Sequence, residues 1–309
     1  MTRELILSKE MREIWASLTP PLRAEDIVKL ALGPKKAADL QFNDWEAILS
    51  EIIIGDAFGV DRMDYLLRDS YHTGVTYGRF DHYRLIDTLR ILPMPPSNEQ
   101  EEQSFEPTLG VDAGGLHAAE ALLLARYFMF TQVYFHPVRR IYDIHLKDYL
   151  QNWLPEGRFS TAVDAHMSLT DNEVISALRK AAHDTNDKGH VYAKRIIGRG
   201  HFKLLYDRNP EDVAVNRNAA QSIFEAAKAQ YGTERVRIDS YKQKAGSSNF
   251  PVLARDGRVI SSLAESHILE KLPVAALDYV FIDPELRSVA DSWLTANRKS
   301  IIAVKGEVE

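Results

Sequence analysis

The spacing of apolar and polar residues divides the chain into a helical part and a mixed part. Before residue 200, apolar residues recur with the period of amphipathic helices. The predicted helices cover 3–18, 24–32, 43–53, 60–72, 116–135 with a continuation to 150, and 170–183. After residue 200, strand-like runs at 202–206, 236–239, 251–254 and 279–282 alternate with helical runs at 217–230, 262–271 and 285–297. The pattern therefore predicts a mainly α fold followed by a smaller α+β C-terminal region.

The domain organisation follows from the same change of pattern. It predicts a helical domain at residues 1–200 and an α+β region at 201–309, and the pattern confines the boundary to 185–215. Within the helical part, residues 82–92 are helical or mixed, and residues 105–111 have the composition of a strand. The polar run 97–104 predicts a surface loop between them.

Two helix starts carry local signals. Asn43 or Asp44 is expected to cap the helix at 43–53, because short polar side chains accept hydrogen bonds from the first helical N–H groups. The run from Thr170 to Glu173 has the pattern of a capping box.

The predicted helix 60–72 has two chemically different faces. At about 100° per residue, its polar groups fall within an arc of about 100°; they are Asp61, Arg62, Tyr65 and Asp69. The opposite side carries Val60, Met63 and Leu67, which we expect to face the core. Two carboxylates, a guanidinium and a phenol can bind a metal, a phosphate and a sugar. The alternative, a solvated helix face with an i, i+4 ion pair, is our interpretation of Asp64 and Arg68.

Composition excludes several classes of function. The formal net charge of −6 argues against a chain that coats nucleic acid. The absence of Cys excludes disulfides, thiolate metal sites and a cysteine nucleophile. No apolar run approaches the ~20 residues of a membrane span, and the N-terminus lacks the pattern of a signal peptide. We therefore expect a cytoplasmic protein without a membrane partner.

Two segments resemble the HD-domain phosphohydrolases, and most closely the deoxynucleoside triphosphate triphosphohydrolases. The first has the family pattern Val-Asp-basic-x-Asp-Tyr-x-x-Arg-Asp, which here runs from Val60 to Asp69 and is followed by His72 and Gly74. The second is an Arg, seven residues and Tyr-x-His, which here is Arg126 with Tyr134 and His136. On a helix, Arg126, Phe130 and Tyr134 would share one stripe. The resemblance covers residues 1–150 well and the remainder loosely, and it implies an HD-domain-like helical bundle.

The resemblance also implies roles for these residues. Asp61 would be the last ligand of a divalent metal such as Mn, Fe, Co, Ni, Zn or Mg. Arg62 and Arg126 would contact the triphosphate of a nucleotide substrate. Tyr65, Asp69 and Tyr134 would face the deoxyribose. Family members form oligomers, so the resemblance implies a homo-oligomer.

One part of the family pattern is missing from the chain. A His and a His-Asp pair precede the metal-binding Asp in the family, yet no His occurs among the residues before Asp61. A single Asp does not hold a catalytic metal tightly, so we expect weak metal binding at best, and no catalytic residue is identified. Met1 is therefore expected to lie inside a family domain, either in a truncated chain or in a natural remnant.

The sequence leaves three functions open. The first is a metal-dependent phosphohydrolase that cleaves deoxynucleoside triphosphates to nucleoside and triphosphate, with an incomplete metal site. The second is a non-catalytic remnant that binds nucleotides or only oligomerises. The third is a nucleic-acid-binding module that uses the basic stretch 194–203, which the acidic net charge and the lack of interleaved aromatic residues argue against.

Overall fold

The computed structural model describes residues 1–94, 107–242 and 249–303. Its helices are α1 (Thr2–Ile6), α2 (Lys9–Ser17), α3 (Ala24–Lys36), α4 (Asp44–Ile54), α5 (Val60–Thr73), α6 (His82–Thr88), α7 (Leu116–Met129), α8 (Pro137–Trp153), α9 (Val163–Met167), α10 (Asp171–His183), α11 (His190–Ile197), α12 (Pro210–Val215), α13 (Ala219–Tyr231), α14 (Ser262–Glu265), α15 (His267–Lys271) and α16 (Arg287–Ile302). The strands are β1 (Leu89–Pro93), β2 (Pro107–Asp112), β3 (Lys203–Asp207), β4 (Val236–Lys242), β5 (Pro251–Leu253), β6 (Val259–Ser261) and β7 (Ala276–Ile282).

This architecture confirms the predicted fold class, a mainly α protein with a smaller α+β part. None of the helices in the described segments combines the length and apolar character needed to cross a bilayer. The predicted loop at 97–104 lies outside the described residues.

The chain folds into two compact units, and each unit combines two separate segments of the sequence. Unit 1 comprises residues 1–130 and 243–274, and unit 2 comprises 131–242 and 275–309. The predicted domain boundaries at 1–200 and 201–309 stay a prediction.

Unit 1 packs helices on a four-stranded sheet whose order is β1-β2-β5-β6. Strand β2 pairs with β1 antiparallel and with β5 parallel, with Val111 opposite Val252. Val111, Leu66 and Leu122 are fully buried, so the sheet and helices α5 and α7 contribute to the core of this unit. The N-terminal helix predicted at 3–18 is instead two helices, because the Ser8 hydroxyl accepts a hydrogen bond from the Met11 N–H and starts α2.

Helix α4 of unit 1 begins with a cap at Asn43, one of the two capping residues that the sequence predicts. The Asn43 side chain accepts a hydrogen bond from the Glu46 N–H at 2.9 Å, and the Glu46 carboxylate accepts one from the Asn43 N–H at 3.0 Å. This reciprocal pair is a capping box, which satisfies two backbone donors that a helix N-terminus otherwise leaves unpaired. It fixes where α4 starts.

The loss of this cap has a measurable consequence. We expect Asn43→Ala to lower the free energy of unfolding by about 1 kcal/mol, because the substitution leaves a helical N–H without its acceptor. Urea denaturation monitored by circular dichroism measures the change. Asn172→Ala is the matched control: Asn172 lies in the first turn of α10, its side chain is exposed, and we expect a change within about 0.5 kcal/mol. Equal losses in the two variants would contradict the role of the cap.

Unit 2 contains a three-stranded antiparallel sheet in the order β3-β7-β4. Its core joins the sheet to helices α13 and α16 through Val280, Ile282, Ile223 and Ala290, none of which is exposed. Central strand β7 is continuously buried from Tyr279 to Ile282, where its sequence is also continuously apolar. The strands predicted at 202–206, 236–239 and 279–282 correspond to β3, β4 and β7.

A buried histidine lies in the same unit. His145 of α8 has no exposed surface, and its Nε2 accepts a hydrogen bond from the Phe202 N–H at 3.3 Å. Burial lowers the pKa of His145 to about 3, and the neighbouring charges of Arg195, Arg237 and His201 act in the same direction. The imidazole is therefore neutral throughout the physiological pH range.

Candidate functional site

Helix α5 carries most of the residues that the sequence singled out. It begins after Gly59 and ends at Gly74, whose φ of 73° is the left-handed conformation that commonly ends a helix. The helix buries Met63, Leu66 and Ser70. The expectation that Val60 faces the core is wrong, because this first residue of the helix is 46% exposed.

Arg62 is more buried than its place on a polar helix face suggests. Its side chain is 16% exposed, and its nearest ionic partner is Asp56, with 3.7 Å between Nη2 and Oδ1. The other two guanidinium nitrogens, Nε and Nη1, are buried and have no hydrogen-bond partner within the described residues. Buried donors are almost always hydrogen-bonded in folded proteins, so this pair of unsatisfied nitrogens needs an explanation.

Three cations converge on Asp56, which lies in the segment between α4 and α5. Lys35 Nζ lies 3.2 Å from Asp56 Oδ2, and Arg126 Nη1 donates to the Asp56 carbonyl at 3.4 Å. Arg62 is the third cation. Burial raises the pKa of the Asp56 carboxyl, but the hydrogen bond and charge of Lys35 and the charges of the two arginines outweigh it and hold that pKa below its usual value. One carboxylate therefore faces three positive charges.

The sequence identified two of these cations and missed Lys35 and Asp56. Asp56 follows Gly55, the residue that caps the end of α4. Its separation along the chain from Arg62 and from Arg126 does not match the spacing of neighbouring residues on a helix, so no pattern indicates that these residues meet. Lys35 lies in the last turn of α3, where a basic residue has an ordinary role against the helix dipole. No local signal links these positions, because they meet only through the packing of helices in unit 1.

Arg126 and Tyr134 come from one helical region, but the structure does not continue it as an α-helix. Arg126 lies in α7, and its guanidinium carbon is 5.8 Å from the centre of the Phe130 ring. Residues Phe130–Tyr134 form a π-helical turn, in which hydrogen bonds skip one residue more than in an α-helix. Arg126 and Phe130 therefore keep the predicted i, i+4 neighbourhood, whereas the π-helical turn breaks the α-helical spacing between Phe130 and Tyr134. Tyr134 belongs to unit 2, whereas the other candidate residues belong to unit 1.

The described residues do not complete a metal site around Asp61. Asp61 is exposed on α5, and the described residues contain no group of three or more His, Asp or Glu side chains that could hold a metal ion. The donor set that the described part of the chain brings together therefore does not fit a divalent metal. Asp64 and Arg68 form the expected i, i+4 ion pair at 3.1 Å on the exposed face. Tyr65 and Asp69 are half-buried on the same helix as Arg62.

Comparisons with known proteins identify relatives for different parts of the chain. An uncharacterized Bacillus subtilis protein, YwfO, is 39% identical over 94 residues, which are 30% of this chain and 19% of that protein. An uncharacterized protein of Methanocaldococcus jannaschii is 34% identical over 157 residues, which are 50% of this chain and 32% of that protein. The chain thus spans about a fifth of the length of the first of these relatives and about a third of the second.

Two solved structures share the fold. A hypothetical protein from Aquifex aeolicus superposes with a TM-score of 0.74 and 32% identity, over 95% of this chain and 70% of that one. A phosphohydrolase from Bacteroides thetaiotaomicron superposes with a TM-score of 0.61 over 91% of this chain and 71% of that one. The second pair is only 18% identical, so it demonstrates a common fold alone.

A family model fixes the relationship. The model described as the HD associated region matches residues 80–276, which is more than half of the chain. The match includes Arg126 and Tyr134, and it begins after helix α5. The chain therefore belongs to the HD-associated-region family.

Proposed function

We propose that unit 1 binds the phosphate groups of a nucleotide and that the chain functions as a nucleotide phosphohydrolase. The observation that carries the proposal is the Arg62 guanidinium, with two buried nitrogens that have no partner in the described residues. A buried cation without hydrogen bonds is strongly unfavourable. Phosphate oxygens are well suited to a guanidinium, because they accept two parallel hydrogen bonds from it.

The charge around Asp56 supports a polyphosphate over a single phosphate ester. Lys35, Arg62 and Arg126 supply three positive charges, and Asp56 supplies one negative charge. The two charges left unbalanced favour a ligand with several negative charges. A nucleoside triphosphate is the metabolite class that matches, and the family resemblance points to its deoxy form.

The sugar contacts are the finer part of the proposal. Tyr65 and Asp69 follow Arg62 on α5 by about one and two helical turns. A phenol and a carboxylate in this position suit the hydroxyl groups and ring of a deoxyribose. The resemblance implies a sugar-binding role for Tyr134 as well, and this role stays a prediction.

The hydrolytic step is proposed from two lines of support. The chain belongs to a family named for its association with HD domains, and a phosphohydrolase has the same fold. In such enzymes a divalent metal polarises the phosphoryl group and activates water. Asp61 is the residue of this chain that the resemblance assigns to the metal. Because the described donors do not fit a metal, the alternative function is nucleotide binding without turnover.

A binding experiment tests the phosphate contact. Titrations of the whole chain with inorganic triphosphate, a deoxynucleoside and the corresponding deoxynucleoside triphosphate separate the two halves of the ligand. We expect Arg126→Ala to weaken binding of both triphosphates about tenfold, because one charge-assisted hydrogen bond is lost, and to leave the nucleoside unchanged. Equal weakening for all three ligands would contradict a phosphate contact.

Turnover separates the two functions. Release of triphosphate by the purified chain, measured with manganese in the buffer, would support the enzyme. Tight binding without release would favour the nucleotide-binding alternative. An intact mass measurement on the same sample ensures that both results refer to residues 1–309.

A further inference from the structure

The carboxylate of Asp56 lies among the cations that the proposed function assigns to phosphate binding. Its Oδ2 is 3.2 Å from Lys35 Nζ, and its Oδ1 is 3.7 Å from Nη2 of Arg62. The Asp56 side chain is 54% exposed, so part of it faces solvent. A carboxylate resembles a phosphate group, because both are anions whose oxygens accept hydrogen bonds from the same donors. Asp56 therefore meets the same cations that an incoming phosphate would meet.

The guanidinium of Arg62 makes this overlap specific. A guanidinium offers two edges for a bidentate contact, and each edge combines Nη2 with one other nitrogen, either Nε or Nη1. In Arg62 these two other nitrogens are buried and have no partner in the described residues, whereas Nη2 faces Asp56. A phosphate that binds either edge must therefore share Nη2 with the Asp56 carboxylate, at a distance where two anions repel each other.

The backbone at Asp56 is held in place, but its carboxylate has room to move. The Asp56 carbonyl accepts a hydrogen bond from Arg126 Nη1 at 3.4 Å. The turn around it is closed by the Gly59 N–H, which donates to the Gly55 carbonyl at 3.2 Å. The carboxylate, by contrast, pairs with Lys35, whose side chain is 88% exposed. Because an exposed ion pair contributes little, the Asp56 side chain can turn toward solvent without disturbing the turn.

We propose that Asp56 is a competing anion that an incoming phosphate must displace from Nη2 of Arg62, and that it thereby sets which phosphate ligands the site retains. This inference rests on the proposed function, because it concerns the same cations. Displacing the carboxylate costs about the same free energy for every phosphate ligand. Orthophosphate has few charges to offset that cost, whereas a triphosphate can also reach Lys35 and Arg126. Asp56 thus keeps orthophosphate out and reserves the site for polyphosphates.

Asp56→Asn tests this inference, because it keeps the shape of the side chain and removes its charge. We expect the variant to bind inorganic triphosphate about tenfold more tightly than the wild type, and orthophosphate more tightly by a similar factor, since both ligands lose the same competitor. Isothermal titration of the whole chain with each anion measures the affinities. Asp64→Asn is the matched control: Asp64 is paired with Arg68 on the exposed face of α5, so both affinities should stay within about twofold.

The stability of the variant provides a second readout with the opposite sign. Although burial raises the pKa of the Asp56 carboxyl, the hydrogen bond and charge of Lys35 and the charges of the two arginines lower it by more. The ionised carboxylate therefore stabilises the folded state at neutral pH. Asp56→Asn should unfold at a lower urea concentration than the wild type while it binds phosphate more tightly.

Three results would contradict this role of Asp56. If the wild type binds triphosphate and Asp56→Asn binds it equally or more weakly, the inference is overturned and the proposed phosphate site stands. An equal gain in affinity for Asp64→Asn would also overturn it, because the effect would then come from the overall charge of the protein. If neither the wild type nor Asp56→Asn binds triphosphate, the proposed phosphate site fails together with the inference.

Discussion

Arg62→Met should weaken binding of inorganic triphosphate about 30- to 150-fold, which corresponds to about 2–3 kcal/mol. The substitution keeps the apolar stem of the side chain and removes the guanidinium. Two of the guanidinium nitrogens are buried and have no partner among the described residues, so they are the donors that an incoming phosphate would satisfy. Isothermal titration of the two proteins measures the difference directly.

The same variant carries a second readout that a structural role would not produce. Because Arg62 is incompletely paired in the free protein, we expect Arg62→Met to leave its free energy of unfolding unchanged or higher. Arg68→Met is the matched control, since Arg68 lies on the same helix and is paired with Asp64 on the exposed face. It should bind triphosphate as the wild type does. A loss of several kcal/mol of stability in Arg62→Met, with unchanged binding, would assign the arginine to the fold.

Acid should destabilise the wild-type protein through His145. The pKa of this imidazole is lowered to about 3 in the folded state, against about 6.5 in an unfolded chain. Below pH 6.5 the unfolded state binds a proton that the folded state does not, so stability is present above that pH and is lost as the pH falls toward 3. At about 1.4 kcal/mol per pH unit, the loss is about 2 kcal/mol at pH 5 and about 3 kcal/mol at pH 4.

His145→Gln should flatten this dependence. Glutamine does not titrate, and its side-chain oxygen can accept the Phe202 N–H that His145 Nε2 accepts in the wild type. Urea unfolding at a series of pH values between 7 and 4 measures the slope. His183→Gln, at the exposed end of α10, is the control and should keep the wild-type slope. Identical slopes for His145→Gln and wild type would mean that other groups cause the acid sensitivity.

Elements whose determinants are local could be predicted from the sequence. The caps of α4 and α10 each involve residues three positions apart, and the cap at Asn43 and the capping box at Thr170 form as expected. Helix α5 also ends at the predicted glycine, because a left-handed residue there depends only on its own backbone. Strand β6 was not predicted, since its three residues are held by pairing with β5 and carry no distinct pattern of their own.

The residues of the candidate site likewise divide into those that a local motif identifies and those that only tertiary packing brings together. Arg62 and Arg126 could be identified because each lies in a short motif with fixed spacing, Val60 to Asp69 and Arg126 to His136, and that motif resembles the family pattern. Asp56 and Lys35 could not, because they meet the arginines only when α3, α4 and α7 pack in one unit. The π-helical turn at 130–134 could not be predicted from the sequence either, since the α-helical period of the surrounding residues predicts a regular α-helical stripe.

The discontinuous composition of unit 1 imposes an order on its assembly during synthesis. Strand β2 lies inside the sheet, yet its parallel partner β5 follows the whole segment 131–242, which belongs to the other unit. During synthesis, we therefore expect β2 to keep one row of backbone donors and acceptors unpaired until the 112 residues of segment 131–242 have been translated. Such an edge is a template for pairing with another nascent chain. Strands β5 and β6 are the last of this sheet to emerge, so we expect the emergence of residues 251–261 to protect β2 from other nascent chains.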